Sequence, residues 1–206
     1  MAAPQALWLD LPGGRHQAVL EKALSPAKGL AFVAHPHPLF GGTMDNKVVQ
    51  TLSRALVQSG WDCLRLNFRG VGQSEGVYDE GRGETDDVLE ALRQLAPEGP
   101  LALAGFSFGA FVTCQVVAQL WPTQRLHKIL LVGTAVTHFN PSPLPADLHD
   151  ASLVVHGEND DTVALSAVMQ WASPQALPVT VVPNGGHFFH GQLPLLKSLA
   201  LRHLRA

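Results

Sequence analysis

The sequence predicts an α/β fold in which a mainly parallel central sheet carries helices on both faces. Short apolar runs such as 29–34, typical of strands buried on both sides, alternate along the chain with segments of helical periodicity. Such alternation builds βαβ units, whose strands run parallel and whose helices cover the sheet. With 206 residues, 46% of them hydrophobic, and no linker or internal repeat, the chain is expected to form one domain, 1–206.

The first half of the chain is predicted to contain, in order, a hairpin from 6–12 and 15–23, a strand at 29–34, a helix at 46–59, a strand at 61–68 and a helix at 84–95. The hairpin turns at Pro12-Gly13-Gly14, residues that favour a tight turn. Gly60 follows the first helical stripe and ends it. Acidic residues in the first turn of the helix at 84–95 suit the helix dipole.

The second half continues the alternation, with strands predicted at 101–106, 128–132, 152–155 and 179–182 and helices at 108–121, 163–171 and 193–204. Val, Leu, Ile and Ala predominate in each of these strands, the composition of a strand covered on both faces. Pro122 stops the helix at 108–121, because proline cannot continue a helical hydrogen-bond ladder.

Composition excludes several classes of function. A formal charge of −3, with Lys and Arg scattered, leaves no basic surface for nucleic acid. No apolar run reaches the roughly 18 residues of a membrane span, and the first ten residues lack the basic and apolar regions of a signal peptide. Cys63 and Cys114 fall in predicted elements and are expected to be buried thiols in a reducing compartment. We therefore expect a cytoplasmic protein.

Ser107 lies at the junction between the strand at 101–106 and the helix at 108–121, within Gly105-Phe106-Ser107-Phe108-Gly109. A G-x-S-x-G segment between strand and helix is typical of a nucleophile elbow, a sharp turn that exposes the serine hydroxyl. Glycines are needed two residues either side, because a Cβ there would clash with backbone. The segment predicts a nucleophilic serine above the carboxyl edge of the sheet.

A serine nucleophile requires a base and a carboxylate that orients the base. The strand at 152–155 runs into a segment containing Asp160 and Asp161, and the strand at 179–182 runs into a segment containing His187 and His190. Because the ends of parallel strands meet at one edge, each segment can reach Ser107. The chain order serine, acid, histidine is that of α/β-hydrolases.

The chain resembles the small, lidless serine α/β-hydrolases near the dienelactone-hydrolase and short-chain esterase branches. The motifs that carry the resemblance are HPHPLFGGTMDNKVV, NFRGVGQSEG, GETDDVLEAL, GFSFGA, HGENDDTV and GGHFFHG. The resemblance implies that Asp160, four residues after His156, is the acid, and that His187 is the base. Dienelactone hydrolases proper carry a cysteine nucleophile, which Ser107 replaces here.

Neighbouring residues are alternatives for each role. Asp161 could be the acid, although with Thr162 it is better suited to cap the helix predicted at 163–171. His190 could be the base, although its position favours the face of the final helix. His156 and Glu158 are expected to be turn residues that support the site.

Two N–H donors must stabilise the oxyanion of a tetrahedral intermediate. The first is expected to be the backbone N–H of Phe108, directly after the nucleophile. The second should lie in the loop after the strand at 29–34, where prolines 36 and 38 have no N–H. Alignment with the family's usual His-Gly pair implies the backbone of His37, with Leu39 as the alternative.

The segment 133–150 is too short and too rich in proline to form a substantial cap. We therefore expect an open, shallow pocket walled by aromatic rings and histidine, namely Phe40, Phe106, Phe108, His138, Phe139 and Phe188. Such walls favour a small uncharged acyl ester. Thioesterase, amidase or peptidase chemistry would use the same residues, and a catalytically silent binding module is the alternative of another class. The chain is expected to act as a monomer or homodimer.

Two further patterns suggest other chemistry. His35 and His37 resemble a metal pair that His187 and His190 could complete, but no carboxylate or third histidine follows with the usual spacing. The segment 70–75 begins like a dinucleotide fingerprint but lacks its third glycine. We expect neither metal nor cofactor, and interpret 70–75 as a structural loop in which Arg69 binds backbone or carboxylate.

Overall fold

A computed structural model describes residues 4–24, 26–123 and 125–205. Over these residues eight strands form one sheet, namely β1 Gln5–Leu11, β2 Gly14–Glu21, β3 Leu30–Ala34, β4 Asp62–Leu66, β5 Leu101–Phe106, β6 Leu126–Val132, β7 Ser152–Gly157 and β8 Val179–Val182. Their spatial order is β1-β2-β4-β3-β5-β6-β7-β8. β2 pairs antiparallel with β1 and β4, and every other pairing is parallel. The predicted fold class is confirmed.

The described α-helices are α1 Lys47–Gln58, α2 Arg82–Leu95, α3 Phe108–Leu120, α4 Leu165–Ala172 and α5 Leu193–Arg205. Asn46 caps the start of α1, since its side-chain oxygen accepts the N–H of Val48 at 2.8 Å. The helix ends just before Gly60, which has φ of +90°. Most bounds lie within two residues of those predicted. The hydropathy pattern locates the helices well because one face of each is buried.

Helices cover both faces of the sheet. α1 and α5 pack together on one face, where their apolar side chains share a core with β3, β5 and β8. α2, α3 and α4 lie on the opposite face, over a core that includes Phe32, Leu64 and Leu103. Because both faces are covered, every residue of β3 and β5 is buried, which explains their uninterrupted apolar runs.

The carboxyl ends of the six parallel strands, β3 to β8, meet at one edge of the sheet, and this edge is left open. Between β6 and β7 the chain forms only a single 3-10 turn, Ala146–Leu148, in place of a cap domain. None of the helices in the described ranges has both the length and the apolar content needed to cross a membrane.

Candidate active site

Ser107 occupies a strained turn between β5 and α3. Its φ of 56° and ψ of −117° lie in a region that L-residues rarely adopt, at a typical cost of about 1–3 kcal/mol. The turn is held by the N–H of Ser107, which donates to Val132 O at 2.9 Å. A Cβ at Gly105 would collide with Gly109 O, and one at Gly109 with Ala34 O. The sequence argument for these two glycines is confirmed.

A hydrogen-bonded chain links three side chains from three different strand ends. The Ser107 hydroxyl lies 3.0 Å from Nε2 of His187, in the loop after β8. Nδ1 of the same ring lies 2.7 Å from Oδ2 of Asp160, in the loop after β7. All three residues are buried. The structure thus brings together the residues that the sequence singled out, in the geometry of a nucleophile, a base and an orienting acid.

Asp160 uses both carboxylate oxygens. Oδ2 accepts from His187, while Oδ1 accepts the backbone N–H of Thr162 at 2.9 Å and of Val163 at 2.7 Å. Burial acts to raise the pKa of Asp160, but these hydrogen bonds outweigh burial and hold the pKa below its usual value. The carboxylate is therefore ionised at neutral pH.

The expected capping role of Asp161 is wrong. Asp161 is exposed, and among the described residues its carboxylate hydrogen-bonds only to the Thr162 hydroxyl, at 3.4 Å, whereas Asp160 binds the turn's N–H groups. The helix also begins later than predicted: α4 starts at Leu165, after Ala164, which has no capping side chain. The physical reason is geometric: a capping carboxylate accepts from the N–H groups two and three residues ahead, which suits Asp160 to Thr162 and Val163, and Asp161 lies too far before α4 to cap it.

His156 belongs to β7 rather than to a turn, which corrects the sequence interpretation. Its ring is completely buried, with Nε2 at 2.9 Å from Val163 O and 3.5 Å from Oδ2 of Asp160. Burial lowers its pKa, so the ring is neutral beside the carboxylate. Glu158 does lie in the turn and accepts the N–H of Asn184 at 2.9 Å. His190 is exposed beside the ring of Phe188, outside the hydrogen-bonded chain.

The backbone N–H groups of Phe108 and His37, both close to Ser107, make no hydrogen bond to any described residue. Phe108 is the first residue of α3, where a helix leaves N–H groups unpaired. The Leu39 N–H, in contrast, donates to Nδ1 of His37 at 3.2 Å. Leu39 is thus already engaged, which favours His37 as the second donor.

A cavity of about 270 Å³ opens at Ser107. The described residues of its wall include no Asp, Glu, Lys or Arg; they are Pro36, His37, Phe40, Gly41, Gly42, Asn46, Ser107, Thr162, His187 and Phe188. Phe40 and Phe188 are therefore among the lining residues, as the sequence predicts. Asn46 and Thr162 add polar groups that the sequence argument missed; the position of Asn46 just before α1 was its only sequence signal.

Four of the expected wall residues lie elsewhere. Phe106 has 0% of its surface exposed, because it points into the core beneath His187, with ring centroids 4.9 Å apart. Phe139 stacks on Phe111 at 4.7 Å and lies outside the cavity lining, as does the exposed His138. Phe108 is likewise fully buried, with its ring 5.2 Å from that of Phe139. The expectation that these four residues wall the pocket is wrong, since packing turns their rings into the protein or leaves them beside the cavity.

His35 and Arg69 have structural roles. The buried His35 ring lies 2.6 Å from Pro36 O through Nδ1, and its Nε2 accepts the Phe68 N–H at 2.9 Å. Both nitrogens are thus engaged by protein atoms. Arg69 donates to both carboxylate oxygens of Asp87, at 2.8 and 2.9 Å, which confirms the structural interpretation of its loop.

The fold matches that of known proteins. A family model described as alpha/beta hydrolase fold matches residues 39–152. An uncharacterised protein of Rickettsia prowazekii is 35% identical over 174 residues, which are 79% of this chain and 69% of that protein. Among solved structures, a serine hydrolase without a lid from Xanthomonas campestris has a TM-score of 0.87 and 34% identity, covering 100% of this chain and 95% of that one. A serine hydrolase homologue from Coxiella burnetii has a TM-score of 0.84 and 33% identity, covering 97% of each chain.

Proposed function

The chain belongs to the α/β-hydrolase family, and from that premise we propose that it is a serine hydrolase that cleaves small, uncharged acyl esters through an acyl-enzyme. The observation that carries the proposal is the hydrogen-bonded chain from Ser107 through His187 to Asp160. Fold membership alone would support a binding module equally well. A strained serine with an aligned base and acid favours catalysis, because folding maintains that strain at a cost.

In the acylation step His187 Nε2 takes the hydroxyl proton of Ser107 as Oγ attacks the ester carbonyl carbon. The negative charge that develops on the carbonyl oxygen is stabilised by the backbone N–H groups of Phe108 and His37. The intermediate then collapses, the carbon–oxygen bond to the alcohol breaks, and His187 gives its proton to the departing alcohol. Water, deprotonated by the same nitrogen, hydrolyses the acyl-enzyme and regenerates Ser107.

Asp160 acts on the base rather than on the substrate. Its ionised carboxylate accepts the proton on Nδ1 of His187, which leaves Nε2 unprotonated toward Ser107. When the ring becomes an imidazolium, the same carboxylate stabilises the positive charge. The pKa of Asp160 is held low by its hydrogen bonds against the effect of burial, so this function persists through the neutral range.

The cavity favours a short acyl group. With no cap over the open edge, little apolar surface closes around a long tail, and Phe40 in the wall keeps 84% of its surface exposed. Each added CH₂ gains about 0.8 kcal/mol only when it is fully buried. Catalytic efficiency is therefore expected to stop rising after the first few carbons. The absence of Lys and Arg from the cavity wall gives no counter-charge for an anionic acyl group.

The test combines covalent labelling with a substrate series. A fluorophosphonate probe should label the wild-type protein at Ser107, and Ser107→Ala should lose labelling and reduce kcat by on the order of 10⁶. Ser173→Ala, an exposed serine in another part of the chain, is the matched control and should behave as wild type. Labelling of the Ser107→Ala variant at another residue would contradict the assignment.

The series compares kcat/KM for p-nitrophenyl esters from acetate to palmitate. A maximum at short chains is expected from the open cavity. A steady rise into long chains would contradict the open-pocket argument. Uniformly poor ester hydrolysis with intact labelling would instead favour thioester or amide substrates, which the same residues can attack, and an unlabelled protein would favour the binding module.

A further inference from the structure

The GETDD motif at the start of α2 contains a buried carboxylate that the proposed chemistry does not use. Glu84 has 0% of its surface exposed, and its two oxygens accept the N–H groups of Asp79 at 2.9 Å and Gly81 at 2.8 Å. Burial of a charge is costly unless hydrogen bonds compensate it, and here they join the helix to the preceding loop. Glu84 therefore fastens the backbone directly after Tyr78.

Tyr78 extends this attachment to the loop after β3. Its half-buried side chain places the hydroxyl 3.2 Å from Nε2 of His37, and the two ring centroids are 4.9 Å apart. The Tyr78 ring also packs 5.7 Å from that of Phe108. The contact therefore connects α2 and its loop with both residues whose backbone N–H groups are the proposed oxyanion donors.

The hydrogen bonds of His37 determine its tautomer. Nδ1 accepts the N–H of Leu39 at 3.2 Å, so the proton of a neutral ring must be on Nε2, from where it donates to the Tyr78 hydroxyl. The rings of Phe40 and Phe108 confine the imidazole, with centroids at 4.6 and 5.1 Å. The carbonyl of His37 accepts two further N–H groups, which closes the turn. Ring and backbone of His37 are thus held together.

We propose that Tyr78 is a positioning residue that holds the backbone N–H of His37 in place for the oxyanion, with Glu84 fixing Tyr78 in turn. Tyr78 is not among the residues that line the cavity at Ser107, so it acts through His37 and not on the substrate. An oxyanion donor stabilises the transition state only when it is already aligned, because the free energy needed to reorient it during the reaction would cancel that stabilisation. The inference rests on the proposed function.

The test is Tyr78→Phe, which removes the hydroxyl and keeps the aromatic contacts. We expect kcat to fall about tenfold, the effect of one hydrogen bond, with KM changed by less than about twofold. Inhibition by a trifluoromethyl ketone, which forms a tetrahedral adduct with an oxyanion, should weaken by the same factor. Glu80→Gln, at an exposed position of the same loop, is the control and should leave kcat, KM and inhibition unchanged.

A second variant and a spectroscopic measurement separate positioning from mere stability. His37→Ala should lower kcat by about 10²-fold, and adding Tyr78→Phe to it should cost nothing further, because the hydroxyl acts through that ring. In ¹⁵N-histidine NMR, His37 should show the Nε2–H tautomer in both proteins, but the Nε2–H proton should exchange faster with water in Tyr78→Phe, where its acceptor is missing.

The outcomes distinguish the two proposals. If the wild type labels at Ser107 and hydrolyses esters while Tyr78→Phe keeps its kcat and its inhibition, the positioning role is overturned and the hydrolase function stands. The positioning role is also overturned if the losses in kcat from His37→Ala and Tyr78→Phe add in the double variant. It is overturned as well if Tyr78→Phe worsens kcat and KM equally because the protein loses its fold. A wild type that neither labels nor hydrolyses would overturn both.

Discussion

Replacement of Asp160 by asparagine tests the arrangement of the site most sharply, because the structure dictates which way the amide must face. Oδ1 accepts two backbone N–H groups, from Thr162 and Val163, while Oδ2 accepts from His187. The amide oxygen of Asn must take the first position, since an NH₂ group there would face two donors. The NH₂ group then points at Nδ1 of His187.

The consequence is the wrong tautomer of the base. Facing an NH₂ donor, Nδ1 of His187 must accept, so the ring proton moves to Nε2, where it points at the Ser107 hydroxyl and cannot receive its proton. The opposite amide orientation would leave the buried N–H of Val163 and the partly buried N–H of Thr162 facing a donor, at a cost of about 2 kcal/mol. Fewer than about 5% of molecules would then hold the competent arrangement. We expect kcat to fall at least about 20-fold and up to about 10⁴-fold.

The assay is kcat for p-nitrophenyl acetate at pH 7 together with the melting temperature. Asp160→Asn keeps both turn hydrogen bonds, so Tm should fall by only about 2–4 °C for a loss near 1 kcal/mol. Asp161→Asn is the matched control: its carboxylate is exposed and contacts only the Thr162 hydroxyl, so its activity should stay within about twofold of wild type. The reasoning would be refuted if Asp160→Asn kept more than a tenth of the wild-type kcat. Loss of activity in Asp161→Asn would refute it as well.

Two further predictions concern the backbone around the site. Gly109→Ala should destabilise the protein by roughly 1–3 kcal/mol and reduce activity, because the new Cβ would collide with Ala34 O in the central strand; urea unfolding that matches wild type would contradict this. Burial lowers the pKa of His35 from 6.5 to about 4, against its backbone hydrogen bond to Pro36, so the native state favours the neutral ring. The contribution of His35 to the free energy of unfolding is fully present above about pH 6.5. It is lost as pH falls toward 4, by roughly 3 kcal/mol in total. The free energy of unfolding in urea should be lower at pH 4.5 than at pH 7, and His35→Gln should make this difference smaller. The same pH dependence in the variant as in wild type would contradict the role given to His35.

Local sequence patterns were enough to predict the fold class and the junction that carries Ser107. The segments that form β3 and β5 are apolar throughout because both of their faces are covered. Their composition alone therefore indicates strands buried on both sides. Gly105 was predictable for a similar reason, since its close backbone contact is with Gly109 in the same turn, whereas Gly109 is required by the backbone of Ala34 in β3. Patterns of this kind are local, and they determined where the strands, the helices and the sharp turn lie.

Tertiary structure decided which side chain does what at the ends of the strands. Asp160 and Asp161 have the same chemistry one residue apart, and only the path of the loop after β7 places one against His187 and leaves the other exposed. Phe106 looked like a pocket wall, but the pleat of β5 turns it into the core. The contact between Tyr78 and His37 joins residues 41 positions apart, through loops that carry no periodic pattern. The sequence by itself determined the elements and the turn that carries Ser107, whereas side-chain direction in non-repetitive loops depends on long-range packing, which is set only when the chain is folded.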